Sequence, residues 1–390
     1  MPLQDHMQLI STDDHFVEPA DLWVDRLPAR YRDVAPQLRE ADVDSRDTLD
    51  RPVTGSRQAW FYEGRAHTEI ALNAVAGKSP EEFGMEPMRM DDVLPGCYDP
   101  VARIADMDRD GIGAAVCFPS FTRPAGTQFL RGKDKELSLL CVQAVNDYMI
   151  DEWAATAPDR FIPLAVLPLW DVDACVAEIE RTAAKGVKTI SFPENPVPLK
   201  LPSWHTGHWD PVFAAAEAAE LPLSIHFGSS GKIPMPSPES PAPVWITLMG
   251  TSSMSTTADL IFSPVFHKFP GLKVALAEGG IGWMPWILER MDTVWERHKY
   301  YTGIDQDARP SDLFREHIYG CFISDAAGIA VRHEIGIDNL TWECDYPHSD
   351  SFWPESRARF AEVVADVPDA DVHKISELNA RALFNFPKAS

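Results

Sequence analysis

From Asp99 onwards the chain alternates short apolar runs with stretches in which apolar residues recur every three or four positions. DPVARIADMDRDG reads as a helix stopped by Gly111, and GAAVCFPS as a buried strand ended by Pro119. The spacing next predicts a long amphipathic helix over Lys133 to Ala157 and a strand over Ile162 to Leu167. Asp171 is the expected cap of the helix VDACVAEIERTAAKG, with Gly186 as its stop. The strand VKTISFPENP follows and places Glu194 just beyond its carboxyl end.

The second half repeats the rhythm. DPVFAAAEAAE is a helix and LPLSIHF a strand, and the Pro-rich loop SSGKIPMPSPESPAPV precedes a helix running through Phe269. LKVALAE is a strand and IGWMPWILERMDTVWERH a helix; YGCFIS, a short helix from near Asp325, the strand NLTWECD and a helix from Pro354 complete the series. With a first strand over Gln8 to Asp13 this makes eight strands, each followed by a helix. The economical closure is an α/β fold, a (β/α)8 TIM barrel formed by 1–390 as one domain. The segment 16–98 contains EPADLWVDRLP, the polar stretch Arg39 to Arg57 and a hairpin at AWFYEGRAHTE. Pro, Gly and Asp punctuate it throughout, so it is expected to be an insertion covering the barrel mouth.

Charge narrows the partners. Lys and Arg number 35 against 59 Asp and Glu, a formal charge of −24, which argues against nucleic acid and anionic membrane surfaces. A small-molecule substrate is expected, and an anionic one would need a local patch of Arg and Lys. The six cysteines have no CxxC spacing and sit in apolar stretches, as buried free thiols of a reducing compartment do. With no signal-like N-terminus and no apolar run of about 18 residues, a cytoplasmic protein is expected, with a C2-type dimer as the simplest assembly.

Polar residues gather at strand ends. Asp13 and His15 are two apart on the first strand and leave one face, His226 ends the fifth, Glu278 the sixth and Asp345 the eighth. In such a barrel those ends converge on one mouth. Buried carboxylates crowded there repel one another, and a divalent cation removes the penalty. A carboxylate–imidazole set suits zinc, iron or manganese. Glu18 lies three residues past His15, and Glu278 is a ligand, a base or the cap of the helix after it. Asp14 faces away from the pair, and Glu343 shares the face of Asp345. His348 and Asp350 follow Asp345 in its loop and are candidates for orienting a ligand, His348 also for catalysis. Glu194, His205, His208, Trp204 and Trp353 are candidates for substrate contact in mouth loops.

The DxH pair, the strand-five His and the CDYPHSD segment resemble the amidohydrolase superfamily. The branch most similar contains aminocarboxymuconate-semialdehyde decarboxylase, the resorcylate decarboxylases and related lactonases and hydratases. The resemblance covers Leu9 to Phe386 and is weakest between Asp21 and Pro95. It implies metal ligands at Asp13, His15, His226 and Asp345. The chain departs from that pattern with Asp-x-His in place of His-x-His, with Glu278 where a His is usual, and with no strand-four Lys. These changes make the set carboxylate-rich, the ligand ratio of non-haem di-iron centres. The chain is also similar to a barrel-shaped di-iron monooxygenase group of that superfamily, known from terpenoid biosynthesis and linked to coenzyme A substrates. The resemblance thus implies two irons held by Asp13, His15, Glu18, His226, Glu278 and Asp345, an external electron donor, and hydroxylation of a bulky, partly apolar substrate. The alternative is one zinc or manganese in a hydrolase, with Asp345 taking a proton from water, or in a decarboxylase.

Overall fold

Runs such as AAVCFP and LSIH are buried at every position, the pattern of strands covered on both faces, and they pair in parallel. The structure, a computed structural model, describes residues 3–42, 45–46, 52–53 and 56–388, with the backbone alone for those between 41 and 57. Among these residues the barrel strands are, in chain order, Ile10–Phe16, Ala114–Pro119, a third in two pieces (Phe161–Ile162 and Leu164–Ala165), Thr189–Ser191, Leu223–His226, Val274–Ala277, Ile318–Phe322 and Leu340–Trp342. The first pairs with both the second and the eighth. The third is split at Pro163, which has no N–H for the ladder. Its first piece pairs with the second strand and its second piece with the fourth, so the ring closes through it.

Helices follow the strands. Asp99 accepts the Val101 and Ala102 N–H groups to start Pro100–Asp110, and Gly111 ends it at φ 76°, where a side chain would be strained. Asp171 caps Val172–Ala184 through the Ala174 N–H. Two helices differ from the spacing. The stretch predicted as Lys133 to Ala157 is α-helical over Lys135–Tyr148 and continues as a π-type turn over Met149–Ala154. The helix predicted through Phe269 is three, Ala242–Thr247, Met249–Ile261 and Val265–Lys268, the last started after Pro264.

The first strand runs on to Phe16, with an irregularity in its pairing between Ser11 and Asp14, so Asp13 and His15 lie within it rather than at its end. Asp14 points the other way, to the outer face. There the buried Arg103 guanidinium lies 3.6 Å from it, donates to the Gly96 and His15 carbonyls, and stacks 4.1 Å from the Tyr346 ring. Breaking such a buried pair costs about 3–5 kcal/mol, so this lock fixes which face of the strand is inside.

Between the first two barrel strands the chain builds a small sheet from Gln37–Asp42, Ser56–Tyr62 and Arg65–His67, with the short pieces Ser45–Arg46 and Pro52–Val53. Its hairpin turns at Glu63 and Gly64, both at positive φ, as a two-residue primed turn requires. Of the polar stretch Arg39 to Arg57, residues 43–44, 47–51 and 54–55 lie outside the described residues. Trp60 packs edge-on against Trp23 at 5.2 Å and stacks on Phe121 at 4.9 Å, which sets the sheet over the loop leaving the second barrel strand. Among the described residues, all six cysteines are free and buried, and no helix is long and apolar enough to cross a membrane.

Candidate metal centre

The ends of the first and eighth strands are tied together: the Asp345 N–H donates to the Asp13 carbonyl (2.8 Å) and the His15 N–H to the Tyr346 carbonyl (2.6 Å). Asp345 and Glu278 both sit at left-handed φ, 59° and 54°. A non-glycine residue there costs about 1–3 kcal/mol. Glu278 directly follows the sixth strand and Asp345 lies three residues past the eighth, and both line the mouth.

Five side chains carried on or just beyond four barrel strands then meet. His15 Nε2 lies 3.1 Å from His226 Nε2, 3.5 Å from Asp13 Oδ1 and 3.4 Å from Asp345 Oδ1. His226 Nε2 is 3.5 Å from Asp13 Oδ2 and 3.4 Å from Glu278 Oε2. Both Asp13 oxygens are buried without a hydrogen-bond partner. The His226 Nδ1–H donates to the Phe227 carbonyl (2.6 Å), which leaves Nε2 with its lone pair facing the cluster. Ligands bound at about 2.0–2.2 Å around one ion stand roughly 3–3.5 Å apart, the separations seen here. Two overlapping groups that could hold a metal ion result, Asp13, His15 and His226 in one and His15, Glu278, Asp345 and His348 in the other, with His15 common to both.

The electrostatics have the same sense. Burial first, then Glu343, Glu278 and Asp345, push the Asp13 carboxyl well above its usual range, and burial likewise raises Asp345. Burial, helped by His348 and His226, lowers His15 below the usual imidazole range, and burial lowers His226 too, against the opposing pull of Glu278. A cation reverses these penalties, because it favours ionised carboxylates and neutral imidazoles. Burial alone would raise Glu278, but His226 and His348 outweigh it and hold it below the ordinary value. His348 stacks on His15 at 3.7 Å, and its Nδ1 lies 2.9 Å from Asp345 Oδ1 and 3.7 Å from Glu278 Oε1. Burial opposes its protonation, yet those two carboxylates raise it to about 10. Beneath the cluster Glu343 accepts the Glu278 N–H (3.0 Å) and the Cys321 thiol, and burial pushes it up to about 8.

Other candidates lie elsewhere. The Glu18 carboxylate accepts the Phe121 and Thr122 N–H groups, each at 2.8 Å, and so pins the loop after the second strand; it is in neither ligand cluster. Glu194 takes the Ser230 hydroxyl (2.7 Å) and holds the loop after the fifth strand from outside the mouth. His205 pairs with Asp259 (2.8 Å) on the surface, and the His208 ring meets the edge of Trp209. Trp204 is buried against Phe192 and Phe213, a packing role, and Trp353 donates to the Asp106 carbonyl beneath Arg109. Asp350 does line the mouth, and burial raises it to about 6. The helix after strand six, Met284–Thr302, takes no side-chain cap; Asp325 accepts the Ile281 and Gly282 N–H groups in the turn before it, and Glu278 lines the mouth.

His15, His226, Glu278, Asp345 and His348 line a cavity of about 1060 Å³. Phe227, Trp245, Ile233, Met235 and Met249 give it an apolar wall. The same cavity is lined by Arg65 and His67 from the hairpin and by Arg123 and Arg131 from the segment after strand two, a basic group that no single stretch of the sequence announces.

A sequence model of the family described as Amidohydrolase matches residues 15–386. Gamma-resorcylate decarboxylase of Rhizobium sp. (strain MTP-10005) is 25% identical over 308 residues, 74% of this chain and 87% of that protein. Among solved structures, an amidohydrolase from Mycobacterium avium subsp. paratuberculosis K-10 covers 98% of this chain and 100% of its own at TM-score 0.73 and 22% identity. The 5-carboxyvanillate decarboxylase of Novosphingobium aromaticivorans, complexed with manganese and a nitrobenzoic acid, covers 97% and 96% at TM-score 0.64 and 20% identity.

These findings correct the oxygenase expectation. The relatives matched by sequence, the gamma-resorcylate decarboxylase and a 2-amino-3-carboxymuconate-6-semialdehyde decarboxylase of Dictyostelium discoideum, bear the names of decarboxylases, not monooxygenases. The physical reason is at Glu18: its carboxylate is committed to two backbone N–H groups, so the second iron loses the ligand assigned to it, and with it the need for an electron donor.

Proposed function

Because the chain belongs to the amidohydrolase family, we propose that it is a metal-dependent, non-oxidative decarboxylase of an aromatic or similarly unsaturated carboxylic acid. The observation that carries this reading is the convergence of His15, His226, Asp13 and Asp345 with the Asp13 oxygens buried and unpartnered, in a chain whose relatives bear decarboxylase names. One divalent ion, manganese or zinc, bound by those four residues would anchor the substrate carboxylate and an adjacent hydroxyl and draw off their negative charge.

The protein's own groups do the rest. His348 carries a proton at neutral pH and is backed by Asp345 and Glu278, so it is the group placed to protonate the carbon that bears the carboxylate. The C–C bond to the carboxylate then breaks, its electron pair restores the ring, and carbon dioxide leaves without any change in oxidation of the protein. Here His348 takes the place of the imidazole absent from strand six, and Glu278 sets its charge. The apolar wall of Phe227 and Trp245 excludes water from the ring face. Residues 16–98 act as the cover of the mouth, with Arg65, His67 and Glu69 on their inner side.

The test is carbon dioxide release from a panel of hydroxybenzoic acids by manganese-loaded protein, with oxygen and reductant excluded. Release that depends on the metal and on His348 supports the reading; a panel that is inert without oxygen refutes it.

A further inference from the structure

Three of the four most exposed large apolar side chains among the described residues lie on one helix, Met284–Thr302. They are Trp286, Tyr300 and Tyr301, at 60%, 71% and 73% of full exposure. The helix buries its other side through Met284, Ile287, Leu288 and Met291. At about 100° per residue, Trp286, Thr293 and Tyr300, seven residues apart, form a nearly straight line along the outer side. Glu289 and Glu296 follow Trp286 and Thr293 by three residues and so flank the line on one edge. Arg290 and Arg297 follow them by four and flank it on the other. All four charged side chains are exposed, and none forms an ion pair with another described residue.

A stripe with one acidic and one basic edge is self-complementary in one of the two ways that a two-fold axis can pair such helices. An axis parallel to the helix lays a second copy alongside in the same direction and carries each acidic edge onto the other copy's basic edge. Glu289 then faces Arg290 of the second copy and Glu296 faces Arg297, offset by one residue's rise of about 1.5 Å. Trp286 and Tyr300 meet their own counterparts beside the axis. An axis across the helix instead sets acid against acid and base against base, a juxtaposition that disfavours it. At a formal charge of −24 copies of the chain repel one another in general, whereas this stripe balances two acids with two bases.

We infer that the outer face of Met284–Thr302 is the interface between two copies of this chain, related by a two-fold axis parallel to that helix. Aromatic side chains flanked by charged ones suit such a patch, the rings excluding water and the charges fixing the register. One helix face is smaller than the roughly 1,200–2,000 Å² of a standard interface, so a dissociation constant in the micromolar range is expected. The inference depends neither on the metal nor on the reaction.

Sedimentation velocity of the full chain from about 0.1 to 100 μM tests it. A monomer–dimer equilibrium is expected, weakened about tenfold or more by W286A. E289R/E296R makes both edges basic and R290E/R297E makes both acidic. Each variant alone should be monomeric over that range with an unchanged melting temperature, because the four side chains are on the surface. An equimolar mixture of the two should dimerise again, since acidic edges then meet basic ones. Y300C should form a disulfide with a second Y300C chain, which the parallel axis brings together. A native chain that stays monomeric throughout, a dimer that survives in both charge variants, or a mixture that stays monomeric overturns the interface. A Y300C chain that cross-links to W286C and not to itself overturns the parallel axis.

Discussion

His15 Nε2 and His226 Nε2 lie 3.1 Å apart although 211 residues separate them in the chain. His226 spends its only ring proton on the Phe227 carbonyl, so two neutral imidazoles at that distance have a lone pair to share with a cation. His226→Ala is therefore expected to lower metal affinity by about 10–100-fold or more and to abolish turnover. His205→Ala, on the exposed pair with Asp259, should change neither. Competition of each protein with a chelating dye measures the difference.

Glu18 separates a structural from a metal role. Its carboxylate holds two backbone N–H groups in the interior, so Glu18→Ala should cost about 2–3 kcal/mol in denaturant unfolding without changing the metal bound per folded chain. Loss of metal with unchanged stability would put Glu18 back among the ligands.

The buried carboxyls set a pH dependence whose sign can be worked out. Glu343, raised to about 8, and His348, raised to about 10, keep protons in the folded state that the unfolded chain gives up near their ordinary values. Their contribution to stability is full below those ordinary values and is lost as pH rises towards the folded ones. His15, His226 and His67, all lowered, act oppositely but only below about pH 6.5, where the unfolded histidines protonate. Between about pH 6.5 and 8 the first effect stands alone, and metal-free protein should melt at falling temperature. Added manganese should raise the melting temperature more at pH 8 than at pH 6, because the ion requires the ligands deprotonated. Scanning fluorimetry with and without metal reads both slopes.

Glu278 acts on His348 through charge. Glu278→Gln removes one of the two carboxylates that keep His348 protonated. The alkaline limb of the pH–rate profile should move to lower pH, with kcat reduced about 10²-fold at neutral pH. A profile that keeps its shape would mean that Glu278 serves only to hold the metal.

Much of this arrangement was legible in the sequence because two periodicities meet. Alternation on the strand puts Asp13 and His15 on one face and Asp14 on the other, and the barrel brings His226, Glu278 and Asp345 to the same rim. What was not legible depended on partners distant in sequence. Glu278 is distinguished from a helix cap only by the turn that follows it, where Asp325 takes the Ile281 and Gly282 N–H groups and the helix itself begins at Met284. Glu18 reads as a ligand until the Phe121 and Thr122 N–H groups fold over it. Trp204 and His205 are neighbours in one loop, yet one is sealed among aromatic rings and the other faces solvent with Asp259. Arg65, Arg123 and Arg131 come from two segments, and only the path of the hairpin over the mouth makes them a group.

Acidic and imidazole side chains at one rim of the barrel are proposed to hold a single divalent ion. Elemental analysis of protein reconstituted with manganese and freed of excess metal measures it directly. One equivalent per chain, falling to a trace in His226→Ala and retained in Glu18→Gln, is the predicted result. Two equivalents in the native chain, or one that persists when His226 is removed, would contradict it.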